Sequence, residues 1–593
     1  MAQPDPNLLF ARAEQAFVAG RLEQARSDLQ AVARLIQDHP AVWHLLALVE
    51  KKSEQWEASR KAFARALALN PIDPEINTNF GNLLVQLGEF EPALAHFNRA
   101  LNTAPQFANA RLGKALALQR LGRRQHALAE IDLAARQDPG RANVHTARAA
   151  VLRELERLGE ARQAYERALQ LAPNHATALH GRARVALEQG DSDAPLHYRA
   201  ALTHRPDDLE LILGLAEALE AEGDDGGLRL LAEAVERHPD WVTGHEQLAR
   251  MRSEAGDGRD FADHYRMSLQ SSPDNRSLRL SYWKMLAAGG EAPAALDALR
   301  AARPRLVQDA ELQLIEAILA SKSGELELAS KLFGAVGESA FLARGVHRLR
   351  TGDAAQAASY LEKAVEADSS SVEAWAYLGA VWRLLDDPRS DWLSGQEGLY
   401  GTQDLGLDEA RLLDVAELLR RLHKARAHPI AQSLRGGTQT RGRLFWRTEP
   451  ELADLRRSII AAVERYCEAL PPADLAHPLL RHRDSDLSFG GSWSVRLLGG
   501  GFHVSHVHPE GVLSSACYIA LPDATGDARD RDGWLEIGGA PPELSAAVSP
   551  VATIEPRIGR LALFPSYFFH GTRPFAAGER LTVAFDMVCR GHP

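Results

Sequence analysis

The sequence predicts an α + β multidomain protein, with an N-terminal α-solenoid followed by a C-terminal double-stranded β-helix, or jelly roll. Three observations carry that prediction. Prolines recur at near-constant spacing over the first half of the chain. Near residue 487 the hydrophobic pattern switches from the helical period of about 3.6 to the strand period of 2. Beyond that switch, histidines stand at separations that suit a shared metal ion.

Composition narrows the function classes. A chain of 593 residues is too long for a single core. With 45% hydrophobic and 25% charged residues it has the make-up of an ordinary globular protein. The net charge of −11, with no Lys/Arg-dense face, argues against nucleic acid as a partner. Cys467, Cys517 and Cys589 are the only cysteines and lack metal-type spacing, which fits a reducing compartment. The start, Met1 to Pro6, shows no basic segment leading into an apolar one, and no long apolar run follows. The expectation is a cytoplasmic protein without a membrane span.

The solenoid is read from its period. Pro40, Pro71, Pro105, Pro139, Pro173, Pro206, Pro239 and Pro273 are separated by 31, 34, 34, 34, 33, 33 and 34 residues. Small residues keep the same register: Gly81, Ala93 and Ala100 return as Ala115, Ala127 and Ala134, then as Ala149, Ala161 and Ala168. Small side chains let paired helices approach, aromatics fill the gaps, and proline stops the second helix. These units resemble the tetratricopeptide repeat in Trp43, Ala47, Phe63, Ala66 and Pro71, and again in Gly81, Ala93, Phe97, Ala100 and Pro105. The pattern is clear over residues 8–275, blurs over 275–350 and returns from Gly352 to Gly379, which predicts ten to eleven hairpins. Stacked hairpins commonly bind a peptide or a protein, so a protein or peptide partner is expected. Asp387-Pro388-Arg389 breaks the pattern. The expected domains are 1–388 (repeats), 389–485 (helical linker and flanking helices) and 486–593 (barrel).

Two amphipathic helices are expected at Asp408 to Ala427 and Glu449 to Ala469, with Arg435-Gly436-Gly437 between them read as a surface turn. The alternation in Ser492-Trp493-Ser494-Val495-Arg496-Leu497 opens a β domain of about six strands. In His506-Val507-His508 the side chains of the two histidines share one face if the segment is extended. A distant third ligand, His570, would complete a facial triad with open positions.

This set resembles the Fe(II)- and 2-oxoglutarate-dependent oxygenases. His506 takes the place of the first ligand, and Gly559-Arg560-Leu561-Ala562-Leu563-Phe564-Pro565 leads into His570. Arg580 and Thr582 stand where that family holds the distal carboxylate of 2-oxoglutarate. The resemblance implies Fe(II), 2-oxoglutarate and O2, hydroxylation of a C–H bond, and a protein or peptide substrate brought by the repeats. Tyr518 and Arg496, on flanking strands, are further candidates for cofactor contact, Glu536 for substrate contact, and His503 for a supporting or surface role. One departure leaves the ligand set open, because His508 occupies the position of the family's Asp/Glu. The site is three-histidine, or a carboxylate such as Glu510 binds, or only His506 and His570 bind as in the aspartyl/asparaginyl β-hydroxylases. Two rival readings are a three-histidine, cupin-like dioxygenase that does not use 2-oxoglutarate, and a non-enzymatic scaffold.

Overall fold

The computed structural model describes residues 5–589 apart from 308, 337–339, 431, 523–530, 542–543 and 545–547. It divides into two compact units, one of residues 1–186 with 203–205 and the other of residues 187–202 with 206–592.

The first unit is built of antiparallel helix pairs in series, from Pro6–Val18 and Leu22–Leu35 to Ala142–Glu154 and Leu158–Leu171. Local chemistry sets each start. At Pro74–Gln86, Asp73 accepts from the amides of Glu75 and Ile76, and Pro74 supplies a pre-set first turn. The small-residue register has a direct steric cause. A Cβ on Gly81 would meet Phe97 at 2.7 Å and one on Gly113 would meet the same ring at 2.3 Å. Ala66, Ala100, Ala134 and Ala168 are all fully buried.

Helix pairs continue in the second unit to Phe341–Arg350 and Ala354–Ala367. Among the described residues, twenty-three α-helices up to Val372–Leu384 make eleven pairs and one last helix. Hairpins persist where the motif blurs, with the larger side chains Tyr282, Trp283 and Phe333 buried in the core there. No helix among the described residues is long and apolar enough to cross a membrane.

After the repeat helices the described residues form nine strands: β1 (Gly401–Asp404), β2 (Leu434–Gln439), β3 (Leu487–His503), β4 (Leu513–Ala520), β5 (Leu535–Ile537), β6 (Ala552–Ile554), β7 (Arg560–Pro565), β8 (His570–Thr572) and β9 (Glu579–Cys589). They form an antiparallel six-stranded sheet, in the order β1-β7-β4-β9-β3-β2, and a three-stranded sheet, β6-β5-β8. Two expectations need correction here. The stretch 389–485 is not only helical, since it contributes both edge strands of the large sheet, β1 and β2. Arg435-Gly436-Gly437 is not a surface turn but part of β2, which bulges between Arg435 and Gly437. A Cβ on Gly437 would lie 2.2 Å from the Arg496 carbonyl oxygen, so glycine here allows the strands to close up.

The register of the large sheet assigns its two faces. Directly paired residues share a face, and neighbours along a strand alternate. On one face lie Arg580, Thr582 and Asp586 of β9, with Leu497 and Val495 of β3 and Tyr518 and Ser514 of β4 opposite them. On the other face Leu581, Val583, Phe585 and Met587 are buried against the helices Glu409–Leu422 and Pro450–Ala469, through Leu412, Leu419, Leu455 and Ile459. Trp375, Leu378, Val381 and Trp382 of the last repeat helix belong to this same core.

Candidate metal centre

His506, His508 and His570 come together, each offering one ring nitrogen within 4.8 Å of the others. His570 opens β8, whose first pair is Ile537, and His506 bridges to it by paired backbone hydrogen bonds of 2.9 and 3.0 Å. His506 and His508 follow β3 in an extended segment rather than in a strand, and the alternation still brings both rings to one site.

Hydrogen bonds at the outer nitrogens set the tautomers. Nδ1 of His506 donates to the Val504 carbonyl at 2.9 Å, and Nδ1 of His570 to that of Phe568 at 3.0 Å. Nδ1 of His508 donates to Asp586 Oδ1 at 2.6 Å. The Nε2 lone pairs are thereby aimed inward, and those of His506 and His508 stand 3.0 Å apart. Two lone pairs hold such a separation only with a proton or a cation between them. Metal–imidazole bonds of about 2.1 Å at a right angle produce a nitrogen separation of about 3 Å. Burial, reinforced by the neighbouring imidazole of His508, pushes His506 down to about 3, and burial with both neighbours holds His570 well below the ordinary histidine range. Neutral imidazoles are the form a metal binds. The donor set therefore fits a divalent metal.

Beside this cluster, Arg580 is buried and its guanidinium lies 5.1 Å from the centre of the Tyr518 ring. Nη1 of Arg580 donates to the Gly533 carbonyl at 2.6 Å, but its Nε and the Tyr518 hydroxyl have no hydrogen-bond partner among the described residues. Among the described residues no carboxylate pairs with Arg580. Burial lowers the guanidinium's pKa and raises that of the Tyr518 hydroxyl. A buried cation with free donors is costly unless an anion meets it. With Thr582 on the same face, these groups fit the distal carboxylate of a dicarboxylate.

Other expected residues are not brought here. Arg496 alternates to the opposite face of β3, where its Nε donates to Glu579 Oε1 at 2.5 Å. Glu536 pairs with Gly571, out of phase with the Ile537–His570 pair, and accepts from Arg573 at 2.6 Å. Glu510 is exposed and lies outside the ligand cluster. His503 supports the site through Ser433, whose hydroxyl stands 2.9 Å from His503 Nδ1 and 3.1 Å from His506 Nε2. Asp586 and Ser433 are the contributors the sequence reading missed. Asp586 had a signal, as an acid among the apolar residues of the second half of β9, two steps in phase beyond Thr582. Ser433 had none.

Comparison with known proteins finds matches in both the helical and the strand-rich parts of the chain. Residues 491–586 match the family model described as "Putative 2OG-Fe(II) oxygenase". Residues 83–182 match the N-terminal TPR repeats region of Psidin, and residues 342–388 match a tetratricopeptide repeat model. Among curated proteins none matches the sequence. Similar solved structures include a tetratricopeptide repeat protein from Parabacteroides merdae, 17% identical, covering 41% of this chain and 97% of its own, with a TM-score of 0.35. A thermophilic TPR protein of Thermus thermophilus is 25% identical over 31% of this chain and 100% of its own, with a TM-score of 0.28. PilF of Pseudomonas aeruginosa is 19% identical over 35% of this chain and 94% of its own, with a TM-score of 0.32. The chain thus carries an array of tetratricopeptide repeats followed by a domain that matches the 2OG-Fe(II) oxygenase family.

Proposed function

We propose that this protein is an Fe(II)- and 2-oxoglutarate-dependent dioxygenase that hydroxylates a protein or peptide substrate recruited by its repeats. One observation carries the reading: three inward Nε2 atoms stand beside a buried, unpaired Arg580. When bound, iron, 2-oxoglutarate and O2 supply the oxidising chemistry, with succinate and carbon dioxide formed as a C–H bond becomes C–OH.

The chain's own groups hold and orient these partners. His506, His508 and His570 would hold the metal through Nε2, each ring locked by its outer hydrogen bond. Arg580 and the Tyr518 hydroxyl would take the distal carboxylate, with Thr582 beside them. Trp493 packs against His508 and Phe564 against His570, aromatic walls that would limit water at the metal's flank. Tetratricopeptide repeats are generally protein-interaction modules, which favours a macromolecular substrate over a free metabolite.

Anaerobic titration with Fe(II) and then 2-oxoglutarate tests the proposal. The wild type should develop a metal-to-ligand charge-transfer band that His570→Ala and Arg580→Ala both lose. A second reading draws on the absence of a carboxylate from the ligand cluster among the described residues. It is a three-histidine dioxygenase without a keto-acid co-substrate. Iron binding without any 2-oxoglutarate response would favour it, and binding of neither would make the domain a scaffold.

A further inference from the structure

Among the described residues the candidate metal cluster contains three imidazoles and no carboxylate, yet a carboxylate stands directly behind one of them. Asp586 Oδ1 accepts from His508 Nδ1 at 2.6 Å and from the Ser514 hydroxyl at 2.8 Å. Ser514 lies 2.9 Å from the hydroxyl of Ser566, and both serines are fully buried. The loop above is closely packed: a Cβ on Gly511 would come within 2.5 Å of Ser566 Oγ and 3.2 Å of Asp586 Cβ. Asp586 is thus held by a fixed chain, Ser566–Ser514–Asp586–His508, that ends at a ligand nitrogen.

Resting on the metal reading above, we infer that the His508–Asp586 pair replaces a ligating carboxylate, with Asp586 as a positioning residue that supplies its charge one residue out. Two neutral histidines with one carboxylate, and three neutral histidines backed by one carboxylate, carry the same net charge of about −1 around the ion. The hydrogen bond passes part of that charge to the ring and makes its Nε2 a stronger donor. The polarity of the pair also matters. The ligand donates outward and residue 586 accepts, so a carboxylate placed at 508 would face a second carboxylate and be repelled. An amide at 586 would reverse that, donating to the outer oxygen of a carboxylate at 508.

The pair is tested by titrating the full-length protein with Co(II), without 2-oxoglutarate, following its absorption and confirming each variant's fold by its melting curve. Asp586→Asn keeps an acceptor for His508 but loses the charge, and should weaken Co(II) binding by about 10- to 100-fold. Ser514→Ala, which keeps the charge and loosens its clamp, should cost less. His508→Asp alone should bind poorly, while His508→Asp with Asp586→Asn should regain affinity to within about tenfold of wild type. Asp586→Asn binding within about twofold of wild type would overturn the inference. So would His508→Asp binding as tightly with Asp586 as with Asn. The wild type separates the two readings: Co(II) binding without a later response to Fe(II) and 2-oxoglutarate removes the oxygenase proposal but not the pair. A wild type that binds no metal removes both.

Discussion

The ring of Tyr377, on the last repeat helix, meets Phe569 edge-on with centroids 5.1 Å apart, one residue before His570. From the same helix, Arg383 donates to the carbonyls of Gly538 and Ser549, which flank the β5–β6 connection, and the Gly538 amide donates to Phe569 at 2.7 Å. The last repeat helix therefore packs on the small sheet that carries His570.

This relationship predicts the result of trimming the chain. A fragment starting at 389 loses Tyr377, Arg383 and the buried Trp375 and Trp382, leaving their partners in the core exposed. It should aggregate or melt without cooperativity, whereas a fragment starting near 340 should fold. Losing even two of these large side chains costs about 6–10 kcal/mol, which exceeds the whole stability of many domains. Thermal melts of the two fragments decide it.

Arg580 predicts an exchange of stability against binding. Its unpaired buried charge is unfavourable until an anion arrives. Arg580→Met should raise the melting temperature of the ligand-free protein, by about 1 kcal/mol or more in stability. It should also abolish the stabilisation that 2-oxoglutarate confers on the wild type, while leaving Co(II) affinity unchanged. Differential scanning fluorimetry with and without the keto acid reads both effects.

Acid should unfold the repeats of the second unit through buried histidines. His264, stacked on His245 with ring centroids 5.1 Å apart, is pushed down to about 3 by burial and by the neighbouring imidazole. Its folded pKa lies below the unfolded value, so the unfolded chain takes up the proton first. The stability is fully present above pH of about 6.5 and is lost as pH falls towards 3. The loss from this residue is at most a few kcal/mol, at about 1.4 kcal/mol per unit. His264→Gln should flatten the decline, measured by urea unfolding at several pH values. An unchanged slope would assign the acid sensitivity to other groups.

Much of the architecture was legible because it repeats. A 34-residue register of small residues can be seen without coordinates, since each hairpin needs the same close approach, as Gly81 and Gly113 do against Phe97. Strand β3 was legible from the alternation between Ser492 and Leu497. β1 and β2 were not, because four or six residues rich in glycine and polar side chains carry little hydrophobic pattern.

The site divides the same way. By itself the sequence determined the residue types, their spacing and the period-2 phase that places Arg580 and Thr582 on one face. It thereby also picked out the candidate groups, three imidazoles with a guanidinium. It left open whether a carboxylate binds the metal, and it placed Arg496 and Glu536 near the site when both face away. Only the tertiary structure decided where Arg496 and Glu536 face, through contacts between residues far apart in the chain. The β3–β9 register turns Arg496 towards Glu579, the closing of β9 on β4 sets Asp586 behind His508, and the Phe568 and Val504 carbonyls aim the ligand nitrogens inward. Spacing along a chain fixes which face a side chain can occupy, but its partner across the sheet is set by register, which only long-range packing determines.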